Sequence, residues 1–232
     1  MRKLVIINMR FNTPMNTYVE VPRLTKEWID YRMDIFMNYT CKSLINQTNQ
    51  SFIGIVRYDE LSHNLIEEAL SRYPKLPDNI VFTPSPNRII NKALKNYDYL
   101  YLNRIDCDDM YHPTFVQQLI DFPFYEGLEC ILNQHGYIYD SVNNRLGTWF
   151  HKSPPFYTLI YKSEDYLNKK YYKLNRGHTG AILLNHEIIN NKNFIVNVHE
   201  KNTMTKFEKS HTKEVILDEN LKTSILKEFK II

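Results

Sequence analysis

Arg104-Ile105-Asp106-Cys107-Asp108-Asp109 sets three carboxylates within four residues, directly after the apolar and aromatic run Tyr97-Asp98-Tyr99-Leu100-Tyr101-Leu102. Like charges this close repel, and the arrangement is costly unless something positive neutralises it. In extended chain Asp106 and Asp108 share one side, while Asp109 leaves the other way or turns with the loop. Hard oxygen donors of this kind suit Mg²⁺ or Mn²⁺, which bind one or two carboxylates plus substrate phosphate oxygens. An ion bridging a diphosphate stabilises the charge that builds on a leaving group. The plainer alternative has Asp108 or Asp109 capping the helix that Pro113 opens, with Asp106 solvated. It uses one carboxylate and leaves two unexplained.

The elements that must position this stretch alternate along the first half. Leu4 to Asn8 is a continuous apolar run of strand length. Thr25 is placed to cap a helix whose apolar positions, Trp28 to Ile45, recur at helical spacing. Phe52 to Val56 is a second strand, and Ser62 caps a short helix. Ile80 to Phe82 is a third strand, a helix runs from Asn87 to about Asn96, and the Tyr97–Leu102 run is a fourth strand. Strands separated by helices of this length imply a parallel sheet covered on both faces. Ligands of such sheets sit outside the carboxyl ends of the strands, where the acidic stretch falls. Past Asp109 a helix opens at Pro113. Short strands follow around 130–139, 146–150, 156–161 and 181–184, with a strand-like Phe194–Val198. An amphipathic tail from Leu221 to Phe229 has Leu221 on its apolar side and Asp218 as its cap.

Composition narrows the class. With 232 residues, 43% hydrophobic and 24% charged, and only 6 Gly and 10 Pro, collagen-like, low-complexity and disordered readings are excluded. A net charge of +3 is too balanced for a chain that coats nucleic acid, and suits a small anionic ligand held by local cations. Cys41, Cys107 and Cys130 form no CxxC pair, which argues against a zinc ribbon or a disulfide framework and for a reducing compartment. The opening Met1-Arg2-Lys3 and its apolar run resemble a secretory signal, but the run ends at Asn8, too soon for one. No stretch reaches the ~20 apolar residues of a membrane span. The expectation is a cytoplasmic protein, with peripheral membrane association left open.

Four segments together resemble the GT-A-fold glycosyltransferases, and more narrowly the rhamnosyltransferase group of bacterial surface-polysaccharide enzymes. They are Ile7-Asn8-Met9-Arg10-Phe11, Cys41-Lys42-Ser43-Leu44-Ile45-Asn46-Gln47-Thr48, Phe52-Ile53-Gly54-Ile55-Val56 and the acidic stretch itself. The likeness covers about residues 4–125 well and the remainder loosely. It implies an α/β, Rossmann-like GT-A fold with a mixed central sheet flanked by helices. It implies one domain over residues 1–232, with a nucleotide-binding half (1–110) and an acceptor-binding half with a terminal lid and helix (111–232). The implied donor is a nucleotide diphosphate-sugar, the acceptor a carbohydrate and the cofactor Mn²⁺ or Mg²⁺. Carried over residue by residue, Asp106 faces the nucleoside, Asp108 coordinates the ion and Asp109 stands beside it. Arg10 and Phe11 hold the base, Asp59 contacts it, and Asn87, Arg88 and Arg104 line the nucleotide cleft. A late histidine of such enzymes corresponds to His199, with Lys201 and Lys206 near the phosphates. The alternative is a solvated loop across residues 201–213.

A transferase that inverts its substrate needs a base for the acceptor hydroxyl. The candidates are His178, Asp140 and Asp165, with Glu126 behind them. His178 lies between Gly177 and Gly180, where the backbone can approach a ligand closely; the alternative is an ordinary turn. Trp149, Phe156 and Tyr157 form either a sugar platform or a core layer, the core being favoured. Two rivals remain. An aspartyl phosphohydrolase needs its acidic motif on the first strand, whereas here it follows about three βα units. A non-catalytic carbohydrate- or partner-binding module has no reason to keep like charges together.

Overall fold

Leu4-Val5-Ile6-Ile7 offers no polar residue to either side, so strand β1 (Lys3–Arg10) has to be covered on both faces. The computed structural model, which describes residues 1–14, 22–202, 205–208 and 211–232, places it inside a seven-stranded sheet. β1 pairs in parallel with β2 (Phe52–Arg57) and with β4 (Tyr99–Asp106), and β2 with β3 (Ile80–Thr83). Beyond β4 the sheet turns mixed. β9 (Tyr157–Lys162) runs antiparallel to β4, β6 (Cys130–Leu132) antiparallel to β9, and β11 (His186–Ile188) parallel to β6. The architecture is therefore mixed α/β, a central sheet flanked by helices.

The two faces of β1 collect different partners because successive side chains alternate. Val5, Ile7 and Met9 pack with α1 (Lys26–Ile35), α3 (His63–Leu70) and α5 (Phe115–Asp121). Leu4 and Ile6 pack with α4 (Pro86–Leu94) and with Tyr166 of α6 (Ser163–Leu167). The Thr25 hydroxyl accepts from the Trp28 N–H, as its spacing predicts. The helix it opens continues through a π-helical stretch, Phe36–Cys41, into α2 (Lys42–Ile45). Ser62 does not cap α3 with its side chain. Its hydroxyl donates to Asp59 O, and Asp59 caps the 3₁₀ turn Glu60–Ser62 instead.

Immediately after the acidic stretch the chain enters a second, five-stranded sheet through β5 (Met110–Tyr111). β5 pairs antiparallel with β12 (Phe194–Val198), which lies parallel to β7 (His135–Asp140). β7 makes a hairpin with β8 (Arg145–Phe150), and β13 (Thr212–Val215) closes the order β13-β8-β7-β12-β5. One apolar cluster runs from β1 through Phe156, Phe194 and Phe207, so the two sheets share a core.

Two sequence expectations change here, and the favoured core reading of Trp149 and Phe156 holds. Ala181–Leu183 is a 3₁₀ turn, not a strand; an apolar run this short carries no period, and the extended segments are β10 (Asn175–His178) and β11. In α7 (Glu219–Glu228) Asp218 does cap, accepting from the Asn220 and Leu221 N–H groups, but Leu221 is exposed. Its inward place goes to Lys222, whose Nζ donates to Asn144 O. Trp149 and Phe156 are core residues, each packed edge-on or stacked against Phe194. Gly136 faces the same Phe194: a Cβ there would lie 2.4–2.6 Å from its ring carbons. Gly136→Ala is expected to lower unfolding stability in urea by about 1–3 kcal/mol through overpacking.

Candidate functional site

Parallel pairing brings the carboxyl ends of β1, β2 and β4 to one edge, where Arg10 lies opposite both Arg57 and Asp106. β9 arrives at that edge with Tyr157 opposite Arg104. The acidic stretch then divides, each carboxylate finding its own partner. Asp106 takes the Arg104 guanidinium, Nη2 lying 3.0 and 3.1 Å from its two oxygens. Asp108 Oδ2 accepts from Arg32 Nη1 at 3.0 Å and stands 3.3 Å from His199 Nε2. Asp109 is buried, and its Oδ1 accepts the Asn197 N–H at 3.0 Å.

These environments separate the carboxyls electrostatically. Burial works to raise Asp108, but the Arg32 guanidinium and His199 outweigh it and hold the group well below the usual carboxylate range. Asp109 goes the other way: burial, then the adjacent Asp108 and Asp106, push it well above that range. Asp109 is thus a buried hydrogen-bonded link from the start of β5 to β12.

His199 reaches Asp108 because β12 pairs with β5, the strand that starts right after Asp109. Its Nδ1 lies 2.9 Å from the Tyr31 hydroxyl, which also accepts the Lys201 N–H. Lys201 Nζ sits 4.2 Å over the Tyr31 ring. Among the described residues no three His, Cys, Asp or Glu side chains converge on one point. Asp108 Oδ2 and His199 Nε2 do meet at the spacing of neighbouring ligands, which lie roughly 3 Å apart when both bind one small divalent ion. The Tyr31 contact is the outer-partner bond that orients a ligand imidazole. The pair fits an ion of this class completed by substrate oxygens. Arg32 is the protein's own cation at the same two atoms.

Beside this tip a cavity of about 450 Å³ opens over β1, β4 and β9. Arg10, Arg57 and Arg104 line it with Asn8, Tyr157 and His178, over an apolar floor of Leu102, Leu159 and Leu174. The floor belongs to the apolar cluster on the α4 side of the sheet, whereas Arg32 rides on α1, on the opposite side. Backbone at the cavity is fixed from below: the Tyr111 hydroxyl donates to Arg104 O at 2.9 Å and accepts from Asn103 Nδ2 at 3.0 Å. Gly177, at φ +59°, makes the left-handed turn that delivers His178 to the cavity wall. Burial, then Arg104, lowers the His178 pKa from its ordinary 6.5, so the imidazole is neutral at physiological pH.

The other expected site residues lie elsewhere. Phe11 is buried between Trp28 and Phe82, so its ring presents no face to a base. Asp59 is taken by Arg23 at 2.6 Å and by the Leu61 N–H. Asn87 and Arg88 are exposed on the first turn of α4 and do not line the cavity. Asp140 anchors the β7–β8 hairpin, accepting from the Val142 and Asn143 N–H groups and pairing with Arg145 at 2.6 Å. Asp165 pairs with Lys170 and Glu126 with Lys162, both at 2.7 Å and both away from the cavity. Within the basic stretch 201–213, residues 203, 204, 209 and 210 lie outside the described residues. Sequence reasoning missed Tyr31, Arg32 and Arg57. The first two sit among other polar positions of α1, and Arg57 is marked only by ending a strand at the right edge.

No protein-family model matches the chain, and no curated protein matches it. Among solved structures, residues 1–349 of TarS from S. aureus in complex with UDP align over 85% of this chain at 13% identity, with a TM-score of 0.42. A cytidylyltransferase from Leptospira borgpetersenii serovar Hardjo-bovis aligns over 83% of this chain and 77% of its own length, at 11% identity and a TM-score of 0.42. The chain spans 61% of the length of the TarS structure.

Proposed function

We propose that this chain is a glycosyltransferase that moves a hexosyl unit, rhamnose among the candidates, from a nucleotide diphosphate-sugar to a carbohydrate acceptor. One observation carries the reading: Asp108 and His199, 91 residues apart in sequence, meet at the carboxyl edge of the parallel strands beside an arginine-lined cavity. Such an edge is where open α/β sheets bind ligands. Asp108 and His199 would hold Mn²⁺ or Mg²⁺, which supplies stabilisation of negative charge on a departing diphosphate. Arg32 and Lys201 add fixed positive charge on the same side of β4. Arg10 and Asp106, opposite one another at the strand ends, bracket the nucleoside. Tyr157 and His178 receive the sugar in the cavity, and neutral His178 takes the acceptor's hydroxyl proton on its unprotonated ring nitrogen.

Calorimetry with UDP, GDP and dTDP, with and without Mn²⁺, tests this. One of the three is expected to bind only when Mn²⁺ is present. Silence from all three in Mn²⁺, with heat from free glycans alone, would mean a carbohydrate-binding module instead.

A further inference from the structure

Three guanidinium groups, Arg10, Arg57 and Arg104, enter one cavity from adjacent strand ends, and Asp106 is the carboxylate paired among them. Within the described residues Arg10 and Arg57 have no ion pair or side-chain hydrogen bond, and Arg57 Nε is buried without a partner there. Burial, then the charges of Arg10 and Arg104, lowers the Arg57 pKa, the signature of a cation held against like charge. A cluster of this kind is unfavourable until an anion joins it, and guanidinium groups bind carboxylate or phosphate through paired N–H donors. Neutral sugar hydroxyls do not require it. On the transferase reading the donor's diphosphate is served by Asp108, His199, Arg32 and Lys201, none of which lines the cavity.

We propose that the sugar received in this cavity carries an anionic group of its own, a carboxylate or a phosphate, held by Arg57 and Arg104 next to His178. Which substrate brings that sugar rests on the transferase reading above; the anion preference of the cavity does not. Arg57 then selects the substrate, because its guanidinium has no carboxylate partner of its own among the described residues and stands beside two other cations.

The test measures binding in two arms. In the first, glucose 6-phosphate, glucuronate and glucose are titrated into the free protein and into protein loaded with UDP and Mn²⁺. In the second, UDP-glucuronate is compared with UDP-glucose. An anionic sugar is expected to bind at least tenfold more tightly than its neutral counterpart, in the first arm if the acceptor is charged and in the second if the donor is. Arg57→Gln is expected to reduce that preference to within twofold, and Arg57→Lys to keep part of it. Arg104→Gln gives a second reading should Arg57→Gln melt early. Equal binding of charged and neutral sugars in both arms overturns the proposal. So does an Arg57→Gln protein that keeps the preference but loses its UDP affinity tenfold, which would make the cavity the diphosphate's own. Failure of every nucleotide to bind, with glucose 6-phosphate or glucuronate still preferred by free protein, sinks the transferase reading and leaves this one standing.

Discussion

Asp108→Asn is expected to abolish the Mn²⁺-dependent binding of nucleoside diphosphate and to lower sugar transfer by on the order of 10²–10³, the cost of losing one preorganised charge-stabilising group. The amide keeps the shape of the carboxylate but offers an ion no negative charge. It also strands the Arg32 guanidinium, whose side chain is 16% exposed beside an Asp108 that is 15% exposed. Removing one member of a largely buried pair destabilises the fold by about 3 kcal/mol. The two effects are separable. A protein carrying Asp108→Asn together with Arg32→Met has no uncompensated charge and should regain most of the thermal stability, yet still ignore Mn²⁺. A single Asp108→Asn variant whose Mn²⁺-dependent affinity stays within twofold of the parent would remove Asp108 from the site.

His178→Ala should lower transfer by about 10²–10⁴, the usual contribution of a positioned base, with little change in nucleotide affinity. The parent's pH profile carries the sign of the assignment. A base works unprotonated, and burial with Arg104 disfavours the imidazolium of His178. Activity should therefore be flat on the alkaline side of 6.5 and fall only as the pH drops through a midpoint below that value. Arg104→Gln removes the largest of the charge effects that lower it and should move the midpoint upward. An acid limb already falling above pH 6.5, or a His178→Ala protein that keeps a tenth of the parent's rate, would assign the proton transfer to another group.

The parallel half of the fold was legible because its strands are unbroken apolar runs and its helices carry a clear 3.6-residue stripe; Leu4–Asn8 and Phe52–Val56 are both recovered within longer strands. The meeting of Asp108 with His199 rests on β5–β12 pairing, which leaves no trace in either local sequence. Residues placed at the site by strand-end position alone fared according to their chemistry. Arg10 stays at the edge because a guanidinium has no reason to leave water. Phe11, one residue on, turns its ring into the core. Asp140 and Asp165 have partners written five residues downstream, Arg145 and Lys170, and a carboxylate already compensated by a neighbour makes a poor base. Arg57 was hidden because a single charged residue ends many strands. Only the register that sets it beside Arg10 and Arg104 makes it unusual.

The link from β4 into β5 also sets an order of events during synthesis. A growing chain completes β1 through β4 and the acidic stretch 91 residues before His199 is added. At about 5–20 residues per second, that is a wait of roughly 5–20 s on the ribosome. Arg32, far upstream, is already present throughout. The ion pair it makes with Asp108 therefore needs no residue that is still to be synthesised, whereas the contact with the imidazole does.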